Sequence, residues 1–107
     1  MSINLMLVAV LFFITAALHL ATPFIYGRNT ETIGIGVFGL TYLVLGFLTL
    51  TNLPLVPFAA LMITGIGTFG AVKSFDQNVA LQKITRIFIG IDIAILGLLI
   101  FFFVSQW

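Results

Sequence analysis

The sequence predicts an all-α integral membrane protein, a bundle of four antiparallel transmembrane helices. Three observations lead there. Only 7% of the 107 residues are charged while 62% are hydrophobic, against about a quarter charged in a soluble domain. The apolar residues fall into four runs, each near the roughly 20 residues that a helix needs to cross a bilayer. The links between the runs are short, which makes successive helices antiparallel neighbours.

The first run covers residues 3–26. No basic residue precedes it, and it is too long for the apolar core of a secretory signal, so it reads as a retained span. The second covers 32–50, the third 53–72 and the fourth 84–104, with a helix that can begin earlier. Barrel strands would alternate in polarity, and these runs do not. A lone hairpin would leave backbone groups unsatisfied in lipid. Residues 1–107 therefore form one membrane domain.

The first link is 27–31 (GRNTE). Thr51 and Asn52, with Pro54 just inside span three, form the second. The third, 73–83 (KSFDQNVALQK), is the longest. Its latter part reads as an interfacial helix that Asp76 or Asn78 would cap. The first and third links share one side and hold all four basic side chains, Arg28, Lys73, Lys83 and Arg86. The positive-inside rule places those links in the cytoplasm and both termini outside a plasma membrane. Tyr26 and Trp107 suit the aromatic belts at the two interfaces.

Composition also narrows the chemistry. A net charge of +1 with no basic run offers nothing to a nucleic acid. The absence of cysteine removes disulfides and thiolate-held metals. One histidine cannot supply bis-histidine haem ligation, and no cluster of His and carboxylates exists for a metal. No serine shares a depth with the histidine: Ser2 and Ser105 lie near the far side and Ser74 lies in a link. No catalytic residue, metal or cofactor is expected, and the chain is not read as an enzyme.

Asp92 is the acidic residue embedded in a span, where a carboxylate costs a few kcal/mol or more. His19 lies about seven residues, roughly 10 Å, from the cytoplasmic end of span one, and Asp92 lies about eight residues, roughly 12 Å, from the same face. If spans one and four are neighbours, His19 and Asp92 form an intramembrane polar pair. Pro23 cannot donate to the carbonyl of His19, which frees that oxygen and kinks the helix. Thr22, Thr41, Tyr42, Thr64 and Thr68 are placed to join the network. Three readings stay open for the pair: a structural contact inside the bundle, a contact with another subunit, and a proton or ligand site.

Gly34 to Gly39 reads GIGVFG, and Gly65 to Gly70 reads GIGTFG. Each matches the dinucleotide-binding pattern formally, but that pattern needs a preceding strand and a sheet, which these spans exclude. Helix packing is the better reading, since small residues let backbones approach in lipid. Antiparallel spans bring Gly34, Gly36 and Gly39 to the same depth as Gly65, Gly67 and Gly70, in the cytoplasmic half. Gly90, Ala94 and Gly97 form a further stripe on span four. In the other half Phe12, Phe13, Phe47, Phe58, Phe101, Phe102 and Phe103 gather. Successive residues of the last three project about 100° apart, so at least one meets lipid or a partner.

In size and span count the chain is similar to the small multidrug resistance transporters, which carry an embedded glutamate in the first helix. Here LFFITAALHLATPF holds His19 and no acid, so that family is not assigned. TAALHLATPFIYG followed by FGLTYLVLGFLTL resembles the first two helices of DoxX-like proteins. These are small four-helix accessory subunits of membrane oxidoreductase complexes. The size and span count also resemble the extra subunits of archaeal ammonia monooxygenase. The resemblance implies association with a redox or oxygenase complex and carries over no catalytic residue.

The leading expectation is therefore a non-catalytic accessory subunit that packs against other membrane subunits or a second copy of itself in the lipid bilayer. One alternative is a small homodimeric proton-coupled transporter that uses Asp92 and His19. Another is a lipid- or quinone-binding membrane module.

Overall fold

Asn29 sets where the second helix starts. Its side chain accepts a hydrogen bond from the Thr32 amide at 3.0 Å, and its own amide donates to the Thr32 hydroxyl at 3.0 Å. This reciprocal cap satisfies two backbone donors at the helix start. Gly27, at φ +90°, makes the reversal just before it. The Thr32 hydroxyl donates back to the Gly27 carbonyl at 2.6 Å. The helix thus begins at Thr30, and Glu31 belongs to its first turn and not to a loop.

The computed structural model describes residues 3–51, 53–74 and 81–106. Four helices run in order: α1 (Ile3–Ile25), α2 (Thr30–Leu50), α3 (Val56–Ser74) and α4 (Gln82–Gln106). All four are long and apolar enough to cross a membrane. No strand occurs among the described residues. The expected caps Asp76 and Asn78 and the belt residue Trp107 lie outside the described residues. Of the expected interfacial helix in the latter part of 73–83 only residues 81–83 are described, with Gln82 and Lys83 already in α4.

The bounds differ from expectation for local reasons. Proline lacks an N–H and is best placed in the first turn of a helix, where that donor has no partner anyway. Pro57 takes that place, so α3 starts at Val56 and leaves Leu53, Pro54 and Leu55 to the turn. α4 starts two residues earlier than expected, at Gln82. α1 runs through Pro23 to Ile25 as one helix.

The helices pack as an elongated bundle of 42 × 22 × 17 Å. The main core lies toward the end that carries the termini. There Leu5, Val8 and Phe12 of α1 meet Leu45 of α2, Ala60 of α3, and Ile95 and Leu99 of α4. A smaller cluster, Leu81, Ile84 and Phe88 against Leu18 and Ile35, closes the end carrying the α1–α2 turn. Outward faces stay apolar, with Val37, Met62, Ile66, Phe69 and Ile93 all exposed. A helix that is apolar all round is one that meets lipid or other protein.

Contact is uneven. Of the helix pairs that pack together, α1 and α2 are the most intimate and α2 and α3 the least. Glycine explains the first. A Cβ on Gly39 would lie 2.7 Å from the His19 Cβ, 3.0 Å from the Leu20 amide nitrogen and 3.2 Å from the Ala16 carbonyl oxygen. A Cβ on Gly36 would lie 3.4 Å from the Pro23 ring, and one on Gly46 would lie 2.9 Å from the Phe13 ring. Gly36 and Gly39 of the first glycine motif therefore pack on α1. In α3, Gly67 makes room for side chains of α2: its Cβ would lie 2.6 Å from the Tyr42 hydroxyl and 2.8 Å from the Phe38 ring.

The other expected packing glycines differ. A Cβ on Gly34, Gly65, Gly70, Gly90 or Gly97 meets nothing within 4 Å. Gly34 and Gly70 flank the loose α2–α3 seam. Gly90, Ala94 and Gly97 are exposed on the outer face of α4. Phe101 also points outward, while Phe103 packs on Phe58 with ring centres 4.7 Å apart and Phe102 leans on Phe103.

Candidate functional site

The loose seam between α2 and α3 leads into a cavity of about 480 Å³. All four helices line it: His19 from α1, Phe38 and Tyr42 from α2, Gly67 and Gly70 from α3, and Phe88 and Asp92 from α4. Glu31, Gly34 and Ile66 lie nearer the mouth and are exposed. A volume of this size falls in the range of small-molecule sites, about 300–1,000 Å³. Its walls are mainly apolar and its polar groups few, which is the usual composition of such a site.

Asp92 is 1% exposed. Its Oδ1 accepts a hydrogen bond from the Tyr42 hydroxyl at 3.0 Å, and Tyr42 is itself fully buried. The nearby Thr68 hydroxyl donates its one proton to the Thr64 carbonyl at 2.8 Å. The pairing follows from side-chain direction. In a helix the Cα–Cβ bond leans toward the N-terminus. α2 and α4 both start at the end with the α1–α2 turn, so Tyr42 and Asp92 lean the same way.

His19 takes a different set of partners. Its Nδ1 lies 2.7 Å from the Thr15 carbonyl oxygen and 3.1 Å from the Thr15 hydroxyl. A carbonyl only accepts, so Nδ1 carries the proton and donates to it. In the neutral ring Nε2 is then an acceptor. Nε2 has no hydrogen-bond partner among the described residues. The ring stacks on Phe88, with centres 3.8 Å apart and planes 19° apart. It meets Tyr42 edge-on at 5.0 Å, and Tyr42 meets Phe38 edge-on at 4.9 Å.

His19 and Asp92 therefore share one cavity, as their matching depths suggest, but they do not bond each other. Tyr42 stands between them, touching the His19 ring and donating to Asp92. The expected direct pair is replaced because the Thr15 carbonyl, one turn back on α1, captures the near nitrogen of His19. The carbonyl that Pro23 frees on His19 faces α2 at Gly36, where a Cβ would lie 3.9 Å from it. Of the other expected network members, Thr22 donates to its own helix at the Leu18 carbonyl. Thr64 is fully buried with a hydroxyl that has no partner among the described residues.

Sequence reasoning missed Phe38, Phe88 and Thr15 as site residues. Phe88 and Thr15 each lie four positions before a polar residue already singled out, which puts them on the same helix face. Among the described residues no group of three or more metal-ligating side chains forms. None of the four basic side chains lines the cavity. Comparison with known proteins gives no matching family model, no matching curated protein and no matching solved structure.

Proposed function

We propose that this chain is a membrane-embedded binding module that holds the polar end of a lipid-phase small molecule in the cavity lined by all four helices. The supporting observation is convergence: His19, Tyr42 and Asp92, from three different helices, line one otherwise apolar cavity. Buried polar side chains cost stability in a membrane interior. A set purely for helix register would be served by the Tyr42–Asp92 bond alone, with no cavity beside it. The loose seam gives a route from lipid, so a ligand need not pass through water.

Native mass spectrometry of the protein released from mild detergent tests this. A small molecule or lipid retained at one copy per chain, and lost when Gly70→Phe narrows the cavity, is the expected result. An unliganded chain at all collision energies, with no exogenous amphiphile bound saturably, would overturn it.

A second reading is the accessory-subunit role expected from the sequence. It is favoured by the outward stripe of Gly90, Ala94 and Gly97, small residues on a lipid-side face that meet nothing within the chain. Such stripes allow close helix approach in membranes. Purification from native membranes would show stoichiometric larger subunits, or a second copy, whose binding is lost in Gly97→Ile. The resemblance of the first two helices to DoxX-like proteins supports placement in a redox complex, and size and span count support an oxygenase complex.

A further inference from the structure

We infer that the cavity recognises an amphiphile whose head is a hydrogen-bond-donating cation, a protonated primary amine. The inference rests on the binding-module reading and names its ligand class.

The first argument is donor and acceptor accounting. His19 spends its ring proton on the Thr15 carbonyl at 2.7 Å, which leaves Nε2 as an acceptor. Tyr42 spends its hydroxyl proton on Asp92 at 3.0 Å. Asp92 has a second carboxyl oxygen and further lone pairs. Apart from the Thr85 hydroxyl, which can donate or accept, the deep wall of the cavity thus offers acceptors, and a fitting head group must bring donors. An ammonium brings three and accepts none.

The second argument is charge. A carboxyl group buried this deeply stays ionised only with a counter-charge or strong hydrogen bonds, and is otherwise neutral. Tyr42 supplies one neutral hydroxyl, the Thr68 proton goes to the Thr64 carbonyl, and Arg28, Lys73, Lys83 and Arg86 all lie off the cavity wall. A cationic head supplies the charge that the protein does not. The rings of Phe38, Tyr42 and Phe88 stand in the same wall, and aromatic faces attract cations. The third argument is the seam. Apart from Glu31 its rim is apolar, with Gly34, Ile35 and Ile66, and suits an alkyl tail that stays in lipid while the head enters.

A matched series tests the inference with the full chain in lipid nanodiscs. The probes are dodecylamine, which is protonated at neutral pH, dodecyltrimethylammonium, which keeps the charge without N–H donors, and dodecanol, which has neither the charge nor more than one donor. Binding is read as saturable uptake above that of empty nanodiscs. Dodecylamine is expected to bind at least about tenfold more tightly than either partner, the scale of a charge-assisted hydrogen bond. Asp92→Asn is expected to erase the preference, and His19→Phe to reduce it. Gly70→Phe, which leaves both polar residues in place, is expected to abolish binding of all three.

Equal binding of the trimethylated probe would overturn the donor requirement. Preference for dodecanol, or a dodecylamine preference that survives in Asp92→Asn, would overturn the cationic head. In both cases the binding-module reading would stand, because a saturable site would have been found. Saturable binding of none of the probes, in a protein that also carries no native ligand, would overturn both.

Discussion

The Tyr42 hydroxyl donates to Oδ1 of Asp92 at 3.0 Å, joining α2 to α4 across 50 residues of chain. Both residues are almost fully buried, so neither can turn to water if the other is lost. Tyr42→Phe keeps the ring and its contacts with Phe12 and Phe38 but removes the donor. Leaving a buried acceptor short of a partner costs about 1–3 kcal/mol. Unfolding in mixed micelles, followed by circular dichroism, is expected to show a loss of that size. Asp92→Asn retains an acceptor for Tyr42 and is expected to cost less. A Tyr42→Phe protein as stable as the parent would mean that the bond contributes nothing to holding α2 on α4.

Gly39 and Gly65, one from each of two near-identical glycine motifs, make opposite predictions. In the first, Gly39 lies against backbone: a Cβ there would come within 3.0 Å of the Leu20 nitrogen and 3.2 Å of the Ala16 oxygen. Backbone cannot rotate away, so Gly39→Ala must part α1 from α2. Overpacking of this kind costs about 1–3 kcal/mol. In the second, Gly65→Ala meets open space. It should be neutral, or stabilising by up to about 1 kcal/mol through helix propensity. Equal effects at the two positions, measured in the same micelles, would show that the α1–α2 crossing is not glycine-dependent.

What the sequence made legible was whatever depends on one helix at a time. Four spans follow from hydropathy. The shared depth of His19 and Asp92 follows from the rise per residue and the antiparallel order. The choice of partner did not follow, because it depends on which acceptor is nearest once the helices are packed. For His19 that is the Thr15 carbonyl of its own helix, and for Asp92 it is a tyrosine that was one of several candidates. The glycine motifs show the same limit. Their spacing marks small faces but not which neighbour each face meets, and the first met α1. The cavity was invisible for a related reason, since it exists where α2 and α3 fail to close.

Thr64 gives a prediction of the other sign. Its hydroxyl is buried without a partner among the described residues, although its carbonyl accepts from Thr68. A buried unsatisfied polar group costs about 1–3 kcal/mol. Thr64→Val keeps the shape and removes the hydroxyl, so it is expected to stabilise the bundle by about 1 kcal/mol. The carbonyl that Thr68 uses is unchanged, so the Asp92 region should be undisturbed. A loss of stability in the same unfolding assay would show that the hydroxyl is bonded, for example to an internal water.

The turn before α2 should control the mouth of the cavity. Gly27 sits at φ +90°, a conformation in which a side chain costs about 1–2 kcal/mol. Asn29 caps the helix, and such caps contribute about 0.5–2 kcal/mol. Gly27→Ala and Asn29→Ala act on the same few residues and touch none of the deep cavity wall. Each is expected to loosen the first turn of α2, where Glu31 and Gly34 border the mouth. Hydrogen exchange should therefore speed up at residues 30–35 and stay unchanged around Tyr42, whose place is fixed by Asp92, Phe38 and the α1 contacts. Faster exchange along the whole of α2 would instead mean that the cap, and not the packing on α1, holds that helix in place.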